Sequence, residues 1–485
     1  MTTSVIIGLI AYVGVTLGIG IYAGRRVKDA SDFLVAGRRL GTVLATGTLA
    51  ATWFGGGIVV GASSEAYKHG FLGVIADPFG AALCLILAGL FYVRTMRRMG
   101  LTTIASFFEV RFGRTASLIA AACTIPAYVG WVASLMVAFG RVIQTVGGID
   151  PDLGIWIGAI IVLVYTTVGG MWAVTLTDFV QVLVLVLGLV WITPTLLSEM
   201  GGWSTLRPQM PDRMFHLYPH GGDTIAWFNY ARDWLVIGLG NLAGQDLIQR
   251  TLSSRDETVA QNSAYLSAAL YLTVGLLPVF LGIAATVVLP DLGNPDLVMM
   301  ELGRLYLPPL ALAVFMGALV SALLSSADSA LLAPASVISW DILKAVRPDV
   351  DERTVLRASR WCVLVLGAVS VYLAFAHNTI YSLMVDSWSI LLATLFVPLT
   401  AGIWWPRANT RGCKASMIAG FLAYLILGEW LPGLPADLLA VPIATIALGF
   451  FSLSGPSPLP LRTQNGSPLG PCPRIGLHFR MQNRG

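Results

Sequence analysis

Apolar residues run through this chain in blocks of about 20, cut by short connections rich in Arg, Gly and Pro. A helix of roughly 20 apolar residues is long enough to cross a hydrocarbon core. Thirteen blocks reach or approach that length: 4–23, 41–62, 71–93, 116–140, 153–170, 174–197, 227–248, 263–289, 306–337, 359–376, 380–404, 416–431 and 434–452. Block 306–337 exceeds one span and is rich in serine, which predicts a tilted or bent helix. The last two blocks are short, with Pro432 and Pro435 between them. No basic stretch precedes Val5–Ala23, so that block reads as a spanning helix and not as a cleaved signal. The expected fold class is an all-α polytopic membrane protein.

Composition agrees. Only 12% of the 485 residues are charged and 56% are hydrophobic, against about 25% charged in a soluble domain. Basic residues collect on inward loops in membrane proteins. With the N-terminus outside, only Lys68, Arg141, Arg207, Arg213, Arg232 and Arg304 fall outward, and the rest of the 30 Lys and Arg fall inward. That bias predicts an odd number of spans, N-terminus out and C-terminus cytoplasmic, in a plasma (inner) membrane. The net charge of +4 gives no reason to expect a nucleic-acid partner. The five cysteines show neither CxxC nor Cys/His spacing, so no disulfide framework or zinc site is suggested. Residues 453–485, dominated by Pro, Gly and Ser, are expected to be a disordered tail.

The order of blocks carries more. After the first helix and its connection (1–40), five blocks fill 41–197; after an outward loop at 198–226, five more fill 227–404, and two close the apolar part at 405–452. Because five is odd, the second group enters the membrane from the opposite side, as an inverted repeat requires. Each group opens with a glycine-interrupted helix: Gly55-Gly56-Gly57 in the first, and Gly238 to Asp246, with Gly240 and Gly244, in the second. Glycine weakens a helix, and a broken helix at membrane depth is tolerated only where the freed backbone faces protein or a wet cavity. Paired breaks of this kind mark midplane transport sites. The same glycines also suit close helix packing, and both readings stand.

Acidic residues within blocks are few: Asp178, Asp246, Asp328 and Asp386, with Asp77 and Glu429 nearer block ends. On a helix, Ala322, Ser325, Ser326 and Ser329 share one face. Hydroxyls and carbonyls gathered there are hard oxygen ligands, suited to an alkali cation and not to zinc or copper. Serines can instead bond back to their own helix. Trp53 and Trp131 offer faces for an organic cation, though tryptophan is also common at membrane interfaces.

Several ordered motifs together resemble the sodium:solute symporter family: Asp32-Phe-Leu-Val-Ala-Gly-Arg-Arg-Leu-Gly41, Thr52-Trp-Phe-Gly-Gly-Gly57, Tyr165 to Gln181, Gln245-Asp-Leu-Ile-Gln-Arg250 and Ser325-Ser-Ala-Asp-Ser329. The resemblance spans roughly residues 5 to 415. It implies a LeuT-like core of two inverted five-helix repeats and solute uptake coupled to sodium, with no organic cofactor. It further implies a first sodium site at the carbonyls of Ala51, Phe54 and Ala322 and the hydroxyls of Ser325 and Ser326. A second sodium site, found in part of the family, would use Asp178, Ser325, Asp328 and Ser329. Within the family the similarity runs to high-affinity choline transporters, in which an aromatic cage encloses the quaternary ammonium. Trp53 and Trp131 match two cage positions, whereas Gly244 and Ala81 stand where a cage Trp and Tyr would be. Half a cage fits a different cationic, zwitterionic or amino-acid-like solute as well as choline. The solute is expected between the breaks, near Trp53, Gly55, Gly56, Trp131, Gly244 and Gln245.

The expected activity is sodium-coupled secondary symport by alternating access. The competing reading is a facilitative channel or uniporter for a small polar solute. No nucleophile–base pair, His-rich cluster or phosphate loop suggests an enzyme. Expected partners are the solute, sodium and the lipid bilayer, with a homodimer left open.

Overall fold

Helix is the one regular structure that satisfies its backbone within each segment, so apolar blocks at membrane depth are expected to be helical. The computed structural model describes residues 3–221, 223–376, 380–453 and 461; the predicted disordered tail lies almost wholly outside them. Every one of the thirteen apolar blocks falls on helix, and no strand occurs among the described residues. Nine helical stretches among those residues are long and apolar enough to cross a membrane, and Ile10–Gly24 is a shorter apolar helix.

Nine differs from thirteen for physical reasons. Blocks 153–170 and 174–197 form one helical run, Pro151–Glu199, that breaks only at Gly170. The helices Thr42–Trp53, of 12 residues, and Thr224–Gly240, of 17, stop at breaks and are each short of a full span. The remainder of block 41–62 runs on with block 71–93 as Gly57–Phe91.

Apolar side chains cover the surface as well as the core, and a few charges are buried inside. Leu187, Tyr372, Ile446 and Phe450 are exposed, while Asp178, Asp246, Arg250 and Asp328 are fully buried. Lipid solvates the first set; only protein can solvate the second. Basic residues beside the helix ends are met by oxygens. Arg97 donates to the Ser254 carbonyl at 2.6 Å and Arg98 pairs with Glu257. Arg141 pairs with Asp296, and Arg232 with Asp437 at 2.9 Å. The 198–226 loop is ordered where described. Its Phe215 packs 6.1 Å from Phe71, and Trp203 packs 6.0 Å from Phe280.

The Asp32–Gly41 motif closes the end that holds Arg97. Asp29 caps the short Ala30–Val35 helix by accepting from the Asp32 amide. Gln249 donates to the Leu34 carbonyl at 2.6 Å, and Leu40 donates to the Ser253 carbonyl at 3.1 Å. Gly170 makes this contact feasible. Its φ of 48° belongs to the left-handed region, and a Cβ there would lie 2.5 Å from the Phe33 carbonyl oxygen.

Gly170→Ala is therefore expected to destabilise the fold by at least ~1–2 kcal/mol from backbone strain alone, with the clash added. The measurement is a lower melting temperature of the purified protein in detergent. Gly449→Ala, at a helical position with nothing within 4 Å of its Cβ, should leave the melting temperature unchanged or slightly raised, because alanine is the better helix former.

Candidate functional site

The first break starts at the end of Thr42–Trp53. Phe54 leaves helical geometry at φ −76°, ψ 55°, a turn of roughly 100° in ψ from the helical value. That turn swings the Phe54 carbonyl off the helix axis. What fits against the break is the serine face of the Pro309–Ser336 helix. Ser325 Oγ donates to the Ala51 carbonyl at 2.9 Å and to the Ala322 carbonyl at 3.1 Å. Ser326 Oγ donates to the Thr52 carbonyl at 2.7 Å. Glycine is needed for the approach, because a Cβ on Gly55 would lie 1.6 Å from Ser326 Oγ and one on Gly56 2.4 Å from Leu323 Cδ2. Close packing and site formation are thus one feature.

Ala51, Ala322, Ser325 and Ser326, expected at a first cation site, come together at the break. Thr52 joins them unforeseen. Phe54 adjoins the group, its ring edge-on to Tyr271 with centroids 5.5 Å apart. The donor set is oxygen only, which suits a hard monovalent cation. A serine hydroxyl can rotate to turn a lone pair toward such an ion.

A second polar cluster lies beside the first. Asp178 accepts from Thr48 Oγ1 at 2.5 Å, and its Oδ1 has no hydrogen-bond partner among the described residues. Asp328 accepts from the Tyr165 hydroxyl at 2.8 Å and from Ser329 Oγ at 3.0 Å. Ser329 also meets Thr52 Oγ1 at 3.1 Å and the guanidinium of Arg250. Counting Arg250 among the inward loop charges is corrected here: it belongs to the Gln245–Ser253 helix and is 1% exposed. It donates to the Asp246 carbonyl at 3.1 Å, one helical turn away.

The two breaks meet directly. Trp53 Nε1, at the first, donates to the carboxylate of Asp246, two residues past the second break at Gly244. The Tyr128 hydroxyl donates to the other oxygen of that carboxylate. Tyr128 extends an aromatic group in which Trp131 and Trp388 lie with centroids 5.0 Å apart, each 5.8 Å from Tyr128. Of the expected solute-site residues, Trp53, Gly55, Gly56, Trp131 and Gly244 adjoin this junction. Gln245 turns elsewhere: its Oε1 accepts from the Ile104 amide at 2.7 Å and its Nε2 donates to Ser336 at 2.9 Å. Both ends of that amide are engaged in holding helices together.

Sequence reasoning placed no role on Asp246, Tyr128, Trp388, Tyr165 or Arg250. Two signals were present. Tyr128 precedes Trp131 by three residues, one helical turn, and Arg250 follows an intramembrane Asp by four. Trp388 and Tyr165 carried no local signal, since only the packing brings them in.

With this geometry in place, similarity to known proteins can be read residue by residue. Residues 33–420 match the sodium:solute symporter family. The high-affinity choline transporter 1 of Caenorhabditis elegans is 28% identical over 468 residues, covering 89% of this chain and 79% of that protein. The sodium/pantothenate symporter of Escherichia coli (strain K12) is 27% identical over 446 residues, covering 88% and 91%. Among solved structures, the substrate-bound outward-open state of a Na+-coupled sialic acid symporter superposes with a TM-score of 0.83 at 20% identity, covering 94% of this chain and 99% of that one. A nucleobase-cation-symport-1 family transporter in a closed conformation superposes with a TM-score of 0.61 at 14% identity, covering 87% and 95%. The LeuT-like helical core is the fold shared with these neighbours. This chain belongs to the sodium:solute symporter family, and its activity is the sodium-coupled symport of a small solute.

Proposed function

We propose that a sodium ion binds where the first break meets the Pro309–Ser336 helix, held by the carbonyls of Ala51, Phe54 and Ala322 and the hydroxyls of Ser325 and Ser326. The observation that carries this reading is the 2.9 Å contact between Ser325 Oγ and the Ala51 carbonyl. It joins two segments 274 residues apart through groups that can both serve as ion ligands. A second sodium would use Asp178, Ser325, Asp328 and Ser329. Asp178 Oδ1, buried without a hydrogen-bond partner among the described residues, supports that assignment. The solute sits between the breaks, near Trp53, Trp131 and Gly244.

Sodium stabilises the arrangement in which the broken helix and the serine helix are joined. Its departure inward frees them to separate, and the solute follows by alternating access. A potential of 100 mV contributes ~2.3 kcal/mol per charge, so a second ion would raise the attainable solute gradient about fiftyfold. The bias of Lys and Arg toward alternate connections of the sequence supports an N-out, C-in orientation in the plasma (inner) membrane. A channel or uniporter would need neither opposed breaks nor an ion site that ties them together.

The deciding experiment is uptake of a labelled solute panel (choline, betaine, proline, sugars, sialic acid and urea) into proteoliposomes, with and without an inward sodium gradient. Saturable uptake that requires the gradient and exchanges with unlabelled solute supports symport; non-saturable flux indifferent to sodium sinks it.

Ser326→Ala removes a ligand from the first ion only and is expected to raise the half-saturating sodium concentration about 10- to 100-fold, the scale of a lost bond to a charged group. Maximal uptake at saturating sodium should be largely kept. Ser325→Ala removes a ligand shared by both sites, so it should raise that concentration and also flatten the sodium dependence. Asp178→Asn should flatten it toward single-ion binding with a smaller shift in the midpoint. Unchanged sodium activation curves in all three variants would refute the assignment of ligands.

A further inference from the structure

The junction of the two breaks contains more oxygen acceptors than it has donors. Asp246 is 0% exposed, and neutral groups alone, Trp53 and Tyr128, donate to its carboxylate. None of the ion pairs among the described residues includes it. Arg250, in the same helix, spends its guanidinium on the Asp246 carbonyl and on Ser329. Beside the carboxylate stands the side-chain oxygen of Asn241. A Cβ on Gly244 would lie 1.8 Å from Asn241 Oδ1 and 2.8 Å from Asp246 Oδ1, so glycine leaves the two oxygens adjacent.

Two further groups join them. Tyr271 lies edge-on to Trp53 with ring centroids 6.5 Å apart. Asp77 is 4% exposed. Asn241 Oδ1, Asp77 Oδ1 and the Tyr271 hydroxyl are all buried without a hydrogen-bond partner among the described residues. Native proteins rarely leave such groups unmet. Ile75–Gly80 packs against Thr224–Gly240, which leads into Asn241–Ala243, and against Glu257–Thr273, so the elements that carry these groups are neighbours.

We propose that this junction binds an organic cation bearing N–H donors (a primary or secondary ammonium, an amidinium or a guanidinium) and discriminates against quaternary ammonium. The inference rests on the reading of the junction as the solute site and names the class of solute. A quaternary ammonium has no N–H, so it can be held by the faces of Trp53, Trp131 and Trp388 but leaves the Asn241 and Asp77 oxygens unmet. A bare alkali ion would satisfy the oxygens but gain little from the aromatic wall. A neutral polyol would supply donors but bring no positive charge to the Asp246 carboxylate, whose side-chain donors, Trp53 and Tyr128, are neutral. An N–H-bearing cation answers all three demands. Asp246 anchors the charge, Asn241 and Asp77 accept the N–H groups, and the tryptophans cover the carbon skeleton.

The test is equilibrium binding to the full-length protein in detergent at fixed, saturating sodium, by isothermal titration. The probes are matched pairs: ethanolamine against choline, glycine against glycine betaine, and 1,4-diaminobutane against its bis(trimethylammonium) analogue. In at least one pair the N–H member should bind about 10- to 100-fold more tightly, the scale of hydrogen bonds to a charged group. Asp246→Asn should abolish that preference, and Asp77→Asn should reduce it, in variants whose melting temperature matches the parent. Asp246→Glu serves if the Asn variant does not fold, and it should keep the preference. The proposal is overturned if quaternary members bind as tightly as their partners, if no N–H member binds, or if a neutral polyol outcompetes them. Binding at fixed sodium is read without a gradient, so this result stands apart from whether transport is sodium-driven.

Discussion

A carbonyl released from a helix within the membrane must find a donor or a cation, because hydrocarbon offers neither. That requirement organises the molecule. Trp53 ends one helix and Gly244 interrupts another, and each break frees backbone groups at depth. The Ser325 and Ser326 hydroxyls meet the carbonyls of the first. Hydroxyls are replaceable partners in a way that helix amides are not. They rotate, and an ion can take over the carbonyl they leave. The break is therefore stable enough to exist empty and gains further when occupied, which lets ion binding select one arrangement.

The same logic governs the buried charges. Asp178, Asp246 and Asp328 are met chiefly by neutral donors, from Thr48, from Trp53 and Tyr128, and from Tyr165 and Ser329. Hydrogen bonds of this kind keep a buried carboxylate tolerable without cancelling its charge. A fully paired interior would be inert, since a bound cation would have to break an ion pair first. An interior in which buried carboxylates outnumber buried arginines, Arg111 and Arg250 among the described residues, instead favours an incoming cation. Arg250, bonded to Ser329 at one cluster and to the Asp246 backbone at the other, links the Asp328–Ser329 cluster to the junction of the two breaks through one rigid guanidinium.

Much of this was legible in the sequence, for identifiable reasons. Apolar block length reports membrane crossing almost by itself, and consecutive glycines inside a block report a break. The serine face was readable because Ala322, Ser325, Ser326 and Ser329 repeat at helical spacing. Partners distant in the chain were not readable: nothing local ties Thr48 to Asp178, Tyr165 to Asp328 or Trp53 to Asp246. Gln245 shows the converse failure. Its neighbour Gly244 marks a break, yet its own side chain is turned away to Ile104 and Ser336, because successive residues entering a helix point in different directions. Arg250 misled for a third reason, since a basic residue near a predicted block end reads as a loop charge unless its burial is known.

The departures from a full aromatic cage gain meaning when read together. Where bulk would be expected, Gly244 and Ala81 leave room, and carboxyl groups stand close by at Asp246 and Asp77. A cage of rings recognises a spread charge without hydrogen bonds; it depends on a snug surface. Oxygens recognise the direction of N–H bonds and tolerate a looser fit of the remainder. Trading rings for oxygens shifts selectivity from the shape of the cation head to the donors it carries. Asp246 also accepts from Trp53, which directly precedes the residue that turns off the helix at the ion-binding break. A solute that draws on Asp246, as proposed, would compete for or reinforce that bond, and so act on the segment whose carbonyls are proposed as sodium ligands. Coupling between the proposed ion and solute sites then needs no long pathway: Trp53 is two residues from Ala51, and both belong to the last turn of the Thr42–Trp53 helix, just before the break.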